Sequence, residues 1–143
     1  MSTIGFDTSN YTTSTAWTDG KTDINVRQIL YVKDGERGIR QSDGVFQHMK
    51  LMPVMYEKLS EQIDFKDVKA VGVSTRPRCV EGSYMPVFLA GEGYAKVVAN
   101  TLGVPLYEFS HQDGHIMAGI YSSGSFELLE NDFISVHLSG GTT

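Results

Sequence analysis

Three features of the sequence predict a mixed α/β sheet with helices packed on its faces. The first is a set of three short runs within residues 1–32, rich in small and β-branched residues and joined by turn formers. The second is an apolar stripe stepping by three and four residues from Val45 to Ile63, the signature of one helix face. The third is an alternation, from Val68 onward, of strand-like and helix-like segments. A three-strand antiparallel meander followed by parallel strand-helix units accounts for all three.

The first strand covers Met1 to Thr8, where Ile4 and Phe6 alternate with Gly5 and Asp7. A hydroxyl-rich loop follows, then a second strand at Thr13–Thr18 and a hairpin signal at Asp19-Gly20. Val26 to Val32 reads as the third strand. In the first helix Val45, Met49, Met52, Tyr56, Leu59 and Ile63 form the stripe, with Ser42 or Asp43 as its cap. Pro53 should kink that helix or split it in two. The methionines are core filler, and His48, beside the stripe, is expected to be half-buried and satisfied.

Val68–Ser74 is apolar enough for a strand covered on both faces. Pro86 opens a helix running to Leu102, and Gly103 sits at its C-cap. Val104–Phe109 reads as a buried strand, His111–Tyr121 as a helix and Phe133–Leu138 as a last strand. Ser122-Ser123-Gly124-Ser125 is the best joint, dividing residues 1–124 from the start of a second lobe at 125–143. The closing Leu138-Ser139-Gly140-Gly141-Thr142-Thr143 leads a strand into a Gly-Gly-hydroxyl turn and stops there, which reads as a truncated chain.

Composition narrows the class. A chain of 143 residues with 41% hydrophobic and 20% charged residues suits one folded domain rather than a disordered segment. The single Cys79 cannot form an internal disulfide, and no secretory leader or membrane-length apolar run is visible. The reading is cytoplasmic. All twelve Lys and Arg lie at or before Lys96, where twelve acidic residues cancel them; the five acids beyond carry the whole net charge of -5. That acidic end either favours a cation or is a solvated edge.

His111 and His115 lie in that acidic end, directly after the strand at Val104–Phe109. With Ser110 as cap, a helix from His111 sets both imidazoles on one face, one turn apart, where they can grip a single cation such as zinc or iron. The same Ser-x-x-Asp pattern is equally a helix N-terminus signal, with Asp113 favoured by the dipole. Ligands in such sheets collect at the carboxyl ends of strands, where the Asp7 loop, the Thr75–Gly82 loop and the His111 turn could share a rim.

Several segments then occur in a telling order: Gly5-Phe6-Asp7-Thr8-Ser9, Val71-Gly72-Val73-Ser74, Gly91, Leu102-Gly103-Val104-Pro105-Leu106, His111-Gln112-Asp113-Gly114-His115 and Ser139-Gly140-Gly141-Thr142. Together they resemble the amino-terminal lobe of the tRNA N6-threonylcarbamoyladenosine transferase family, also called O-sialoglycoprotein endopeptidases or glycoproteases. The resemblance implies a ribonuclease-H-like lobe of the actin-like ATPase superfamily, with nucleotide in the cleft between two lobes. It implies that His111 and His115 ligate iron or zinc, completed by an aspartate of the second lobe. It also implies that Asp7, Thr8, Ser9 and the amides up to Thr12 line a first phosphate loop, and that Ser139, Gly140, Gly141 and Thr142 begin a second, for ATP or an adenylate with Mg. The implied partners are the nucleotide, tRNA in the intact protein, and a homo- or hetero-dimer with a paralogous lobe.

The sequence also departs from that family. Asn10-Tyr11-Thr12 replaces its Cys-Asp-Glu, Asp113 its glutamate, and Arg76-Pro77-Arg78-Cys79-Val80-Glu81-Gly82 its glycine-rich loop. These changes mark a divergent branch. The leading function is a metal- and nucleotide-binding transferase; the alternatives are a non-catalytic dimerisation partner or scaffold, a metalloprotease, and a sugar or acetate kinase relative. For a His-Glu-x-x-His protease the residue after the first histidine must be a general base, and here it is Gln112.

Overall fold

The computed structural model describes residues 1–138. Its elements are β1 (Ser2–Ser9), β2 (Thr12–Thr18), β3 (Asp23–Ile29), α1 (Gln41–Ser60), β4 (Val68–Arg76), α2 (Phe88–Leu102), β5 (Leu106–Ser110) and α3 (His111–Ser123), with short 3-10 turns at Phe65–Asp67 and Phe126–Glu130. They build one five-stranded sheet in the order β3-β2-β1-β4-β5. β2 is antiparallel to both β1 and β3, whereas β4 runs parallel to β1 and to β5. The meander and the parallel strand-helix units are as the sequence predicts.

Strict alternation along β1 decides which side of the sheet does what. Ser2, Ile4, Phe6 and Thr8 are buried beneath α1 and α2, whereas Asp7 points to the opposite face. The core joins Ile4, Phe6, Val71 and Val73 of the sheet to Met52 and Leu59 of α1 and to Ala95 and Ala99 of α2. α3 crosses the other face: His111 reaches Asp7, and the Tyr121 hydroxyl donates to Asp23 Oδ1 on the far edge strand. The parallel strands β1, β4 and β5 therefore end together, at Ser9, Arg76 and Ser110.

Several boundaries differ from expectation for identifiable reasons. β3 stops at Ile29, because Leu30 turns inward and donates to the Tyr11 carbonyl while Gln47 takes both backbone groups of Tyr31. Neither Ser42 nor Asp43 caps α1; Arg40 is the N-cap and gives no side-chain bond. Pro53 does not split α1. It cannot donate to the Met49 carbonyl, and that orphaned oxygen accepts the Tyr94 hydroxyl at 3.0 Å instead. The buried stripe of α1 is Gly44, His48, Met52, Met55 and Leu59, so Val45 and Met49 sit at its flank. Gly44 belongs there because a Cβ would stand 2.8 Å from Val87 Cγ1.

α2 begins at Phe88, two residues beyond Pro86. Gly103 caps it in the left-handed region, as predicted. β5 starts at Leu106 and is an edge strand, so Tyr107 and Phe109 are exposed rather than buried. Among the described residues Phe133–Leu138 forms no strand, despite its alternation. No helix among the described residues is long and apolar enough to cross a membrane.

Candidate functional site

Ser110 closes β5 and opens α3. Its hydroxyl accepts from the Asp113 amide at 3.1 Å, and Asp113 Oδ2 accepts from the Ser110 amide at 2.9 Å, a complete capping box. The helix-start reading of Asp113 and the shared face of the histidines are thus one arrangement, since the cap sets where the first turn begins. Ser110→Ala should cost about 1 kcal/mol of stability, read as a lower urea midpoint, through loss of the cap.

From that first turn the two imidazoles converge. His115 Nε2 lies 2.9 Å from His111 Nε2, with the rings edge-on. His111 Nδ1 meets Asp7 Oδ2 at 2.8 Å, across 104 positions of sequence. A carboxylate only accepts, so Nδ1–H of His111 donates to it, and Nε2 faces His115. Phosphate-loop candidate Asp7 is thereby the partner that orients the His111 ring.

Electrostatics agree with that role. Burial works to raise the Asp7 pKa, but the hydrogen bond and charge of His111, with bonds from Ser74 and the Ser9 amide, hold it below the usual carboxylate value. The His115 pKa is lowered, first by burial and then by the neighbouring imidazoles His111 and His137. Because Asp7 is depressed, its stabilising contribution is complete above the unfolded carboxylate pKa of about 3.9 and is lost as pH falls through its lower folded value. Asp7→Asn should flatten the acid limb of a stability–pH curve, measured by urea unfolding across pH.

The rest of the predicted first loop is partly committed elsewhere. Thr8 is fully buried: its hydroxyl donates to the Val87 carbonyl at 2.9 Å and accepts from the Gly91 amide at 3.0 Å, tying β1 to the start of α2. The Ser9 amide donates to Asp7 Oδ1 at 2.9 Å. Thr12 opens β2 opposite Ser9 and Ile29. Asn10 Oδ1 accepts from Gln41 Nε2 at 2.9 Å, and Gln41 Oε1 accepts from the Val87 amide. Ser139, Gly140, Gly141 and Thr142 lie outside the described residues.

Sequence reasoning missed three members of this region. His48 is wholly buried rather than half-buried, sharing a hydrogen bond between its Nδ1 and Thr13 Oγ1 at 2.7 Å, with no partner for Nε2 among the described residues. Burial lowers its pKa, so its share of stability is present above about pH 6.5 and lost as pH falls through the lower folded value. His48→Gln should weaken that acid sensitivity in a urea series between about pH 7 and 5. Gly114 faces β4, and a Cβ there would lie 4.0 Å from Ser74 Oγ, an ordinary contact. His137 stacks on His115. Only Gly114 had a signal, its place between the histidines.

Comparison with known proteins gives the context. No protein-family model matches the chain. The tRNA N6-adenosine threonylcarbamoyltransferase of Christiangramia forsetii is 32% identical over 94 residues, 65% of this chain and 26% of that protein. The enzyme of that name from Pyrobaculum calidifontis is 29% identical over 142 residues, 98% of this chain and 39% of the relative. That from Clostridium kluyveri is 34% identical over 98 residues, 67% and 26% respectively. The chain thus spans about a quarter to two-fifths of the curated relatives it matches.

Among solved structures, YeaZ from Pseudomonas aeruginosa aligns with a TM-score of 0.54 at 16% identity, over 77% of this chain and 43% of its own. A second structure, titled as similar to peptidase YEAZ of the same organism, gives 0.53. That likeness shows the fold alone, a mixed α/β lobe. Sequence and fold together make the chain a relative of the tRNA N6-adenosine threonylcarbamoyltransferases.

Proposed function

We propose that this chain is the amino-terminal lobe of a metal- and nucleotide-binding transferase acting in threonylcarbamoyl transfer to tRNA adenosine. The observation that carries it is the approach of two Nε2 atoms to 2.9 Å with Asp7 holding the outer nitrogen of one. The fit is good: two imidazoles, one oriented by a carboxylate, are donors that zinc and iron(II) take, and one cation could sit between the two facing nitrogens. Among the described residues no third His, Cys, Asp or Glu completes a cage.

A bound metal would supply Lewis-acid polarisation of the carbamoyl carbonyl. The chain's own residues hold and orient. His111 and His115 bind the ion, Asp7 fixes the His111 tautomer, and the backbone beyond Ser9 faces the rim where an adenylate or ATP with Mg would lie. Ser139–Thr142 would add amide donors for its phosphates.

A second reading, a non-catalytic dimerisation partner, is favoured by Asn10. Where the related family carries acidic residues, this side chain is spent on Gln41 and on bracing the helices. The test is nucleoside analysis of tRNA from cells that lack threonylcarbamoyl transfer and express this protein. Restored N6-threonylcarbamoyladenosine, lost on His111→Ala, is expected. A protein that loads metal yet restores none would establish the second reading instead.

A further inference from the structure

The loop between β4 and α2 is the longest departure from the related family, and the candidate site above does not use it. It is built rather than slack. The Pro77 carbonyl accepts from the Gln112 amide at 3.1 Å, which ties the loop to the first turn of α3. The Arg78 amide donates to Ser83 Oγ at 2.9 Å, and the Ser83 amide donates to the Val80 carbonyl at 3.2 Å. The loop thus doubles back and brings the backbone of Tyr84 beside that of Arg78. Arg76 closes β4 opposite Ser110, the residue before His111, so the loop stands on the same rim as the histidines.

Its charges are uncompensated. Among the described residues the ion pairs are Lys96–Glu92 and His111–Asp7, so neither Arg76 nor Arg78 meets a carboxylate, Glu81 of the same loop included. Arg76 donates only to neutral acceptors, Thr75 Oγ1 at 3.2 Å and Cys79 Sγ at 3.9 Å. Those bonds orient the guanidinium without cancelling its charge. Arg78 is exposed, and so is Tyr84. Guanidinium groups take phosphate oxygens two at a time, and an open tyrosine face takes a base, which is how single-stranded nucleic acid is held. A mononucleotide is instead enclosed by a concave pocket, whereas Arg78 and Tyr84 lie open.

We propose that the loop from Arg76 to Tyr84 is a contact for single-stranded RNA, with Arg76 and Arg78 on backbone phosphates and Tyr84 stacked on an unpaired base. The proposal rests on the transferase reading for the source of that RNA, an acceptor presenting its adenosine at the rim. A net charge of -5 opposes broad non-specific binding, so the contact is local and engages few phosphates.

The test follows fluorescence anisotropy of a labelled, adenosine-containing single-stranded oligoribonucleotide with the full chain across a salt series. Two phosphates give a slope of log affinity on log salt of about -1.4, and Arg76→Gln and Arg78→Gln should each reduce its magnitude by about 0.7. Arg76→Lys, which keeps the charge, should keep the slope, and urea midpoints check that each variant folds. Tyr84→Leu should weaken binding about 10-fold at unchanged slope, while Tyr84→Phe binds as the wild type does. Unchanged slopes in both Gln variants, or equal losses in Tyr84→Leu and Tyr84→Phe, overturn the contact. So does loss of Mg-ATP binding in the Gln variants with RNA binding intact, which assigns the loop to a mononucleotide. In cells, full tRNA modification by the Arg76→Gln/Arg78→Gln double variant overturns the contact and leaves the transferase standing. A wild-type chain that binds RNA through this loop yet restores no modification supports the contact and removes the transferase.

Discussion

Replacing His111 and His115 together by alanine should abolish specific zinc or iron binding while the fold survives. The loss should exceed the about 100-fold that removal of an outer-shell partner can cost, because both inner donors disappear. His115 is exposed and the His111 side chain is 32% exposed, so neither holds the core together. Removing His111 does leave Asp7 without its strongest partner, at a cost of about 1 kcal/mol, since water can still reach that carboxylate. Elemental analysis and chelator competition measure the first effect, and urea unfolding the second. Wild-type metal affinity in the double variant would remove the basis of the proposed chemistry.

The largest stability effect is expected at Gly91→Ala, about 2 kcal/mol destabilising. An added Cβ would stand 2.8 Å from Thr8 Oγ1 and 3.2 Å from Thr8 Cγ2. Neither atom can yield freely, because the Thr8 hydroxyl is pinned between the Val87 carbonyl and the Gly91 amide and the residue is fully buried. Alanine gains about 1 kcal/mol in helix propensity. Overpacking costs about 1–3 kcal/mol, and each buried group left unpaired about 1–3 kcal/mol more; together these outweigh the gain. Thr8→Ala in the same background removes the obstacle, so the two changes should be non-additive in a double-mutant cycle. Wild-type stability of Gly91→Ala in urea would show that β1 and α2 are not locked here.

On the proposed function, that lock bears on the metal site as well. Thr8 directly follows two residues with opposite duties: Phe6 points into the core and Asp7 at His111. Loosening the Thr8–Gly91 contact should therefore shift Asp7 relative to α3, and Gly91→Ala should lower metal affinity modestly beside its effect on stability.

The sequence by itself determined the meander, the parallel strand-helix units and the capping box at Ser110, because each is written in local periodicity or turn chemistry. It also determined the spacing of His111 and His115, which one helical turn converts into convergence. Tertiary structure alone decided that Asp7 serves His111, since their 104-residue separation leaves no local trace. It alone made Thr8 a buried tie, turned Gly44 and His48 into the inner stripe of α1, and gave the orphaned Met49 carbonyl a partner in Tyr94. Strand pairing is likewise a tertiary property. Among the described residues Phe133–Leu138 has the alternation of a strand and forms none, and β5 has the apolar content of an inner strand and lies at the edge, because hydrogen-bonding neighbours are assigned by the whole sheet.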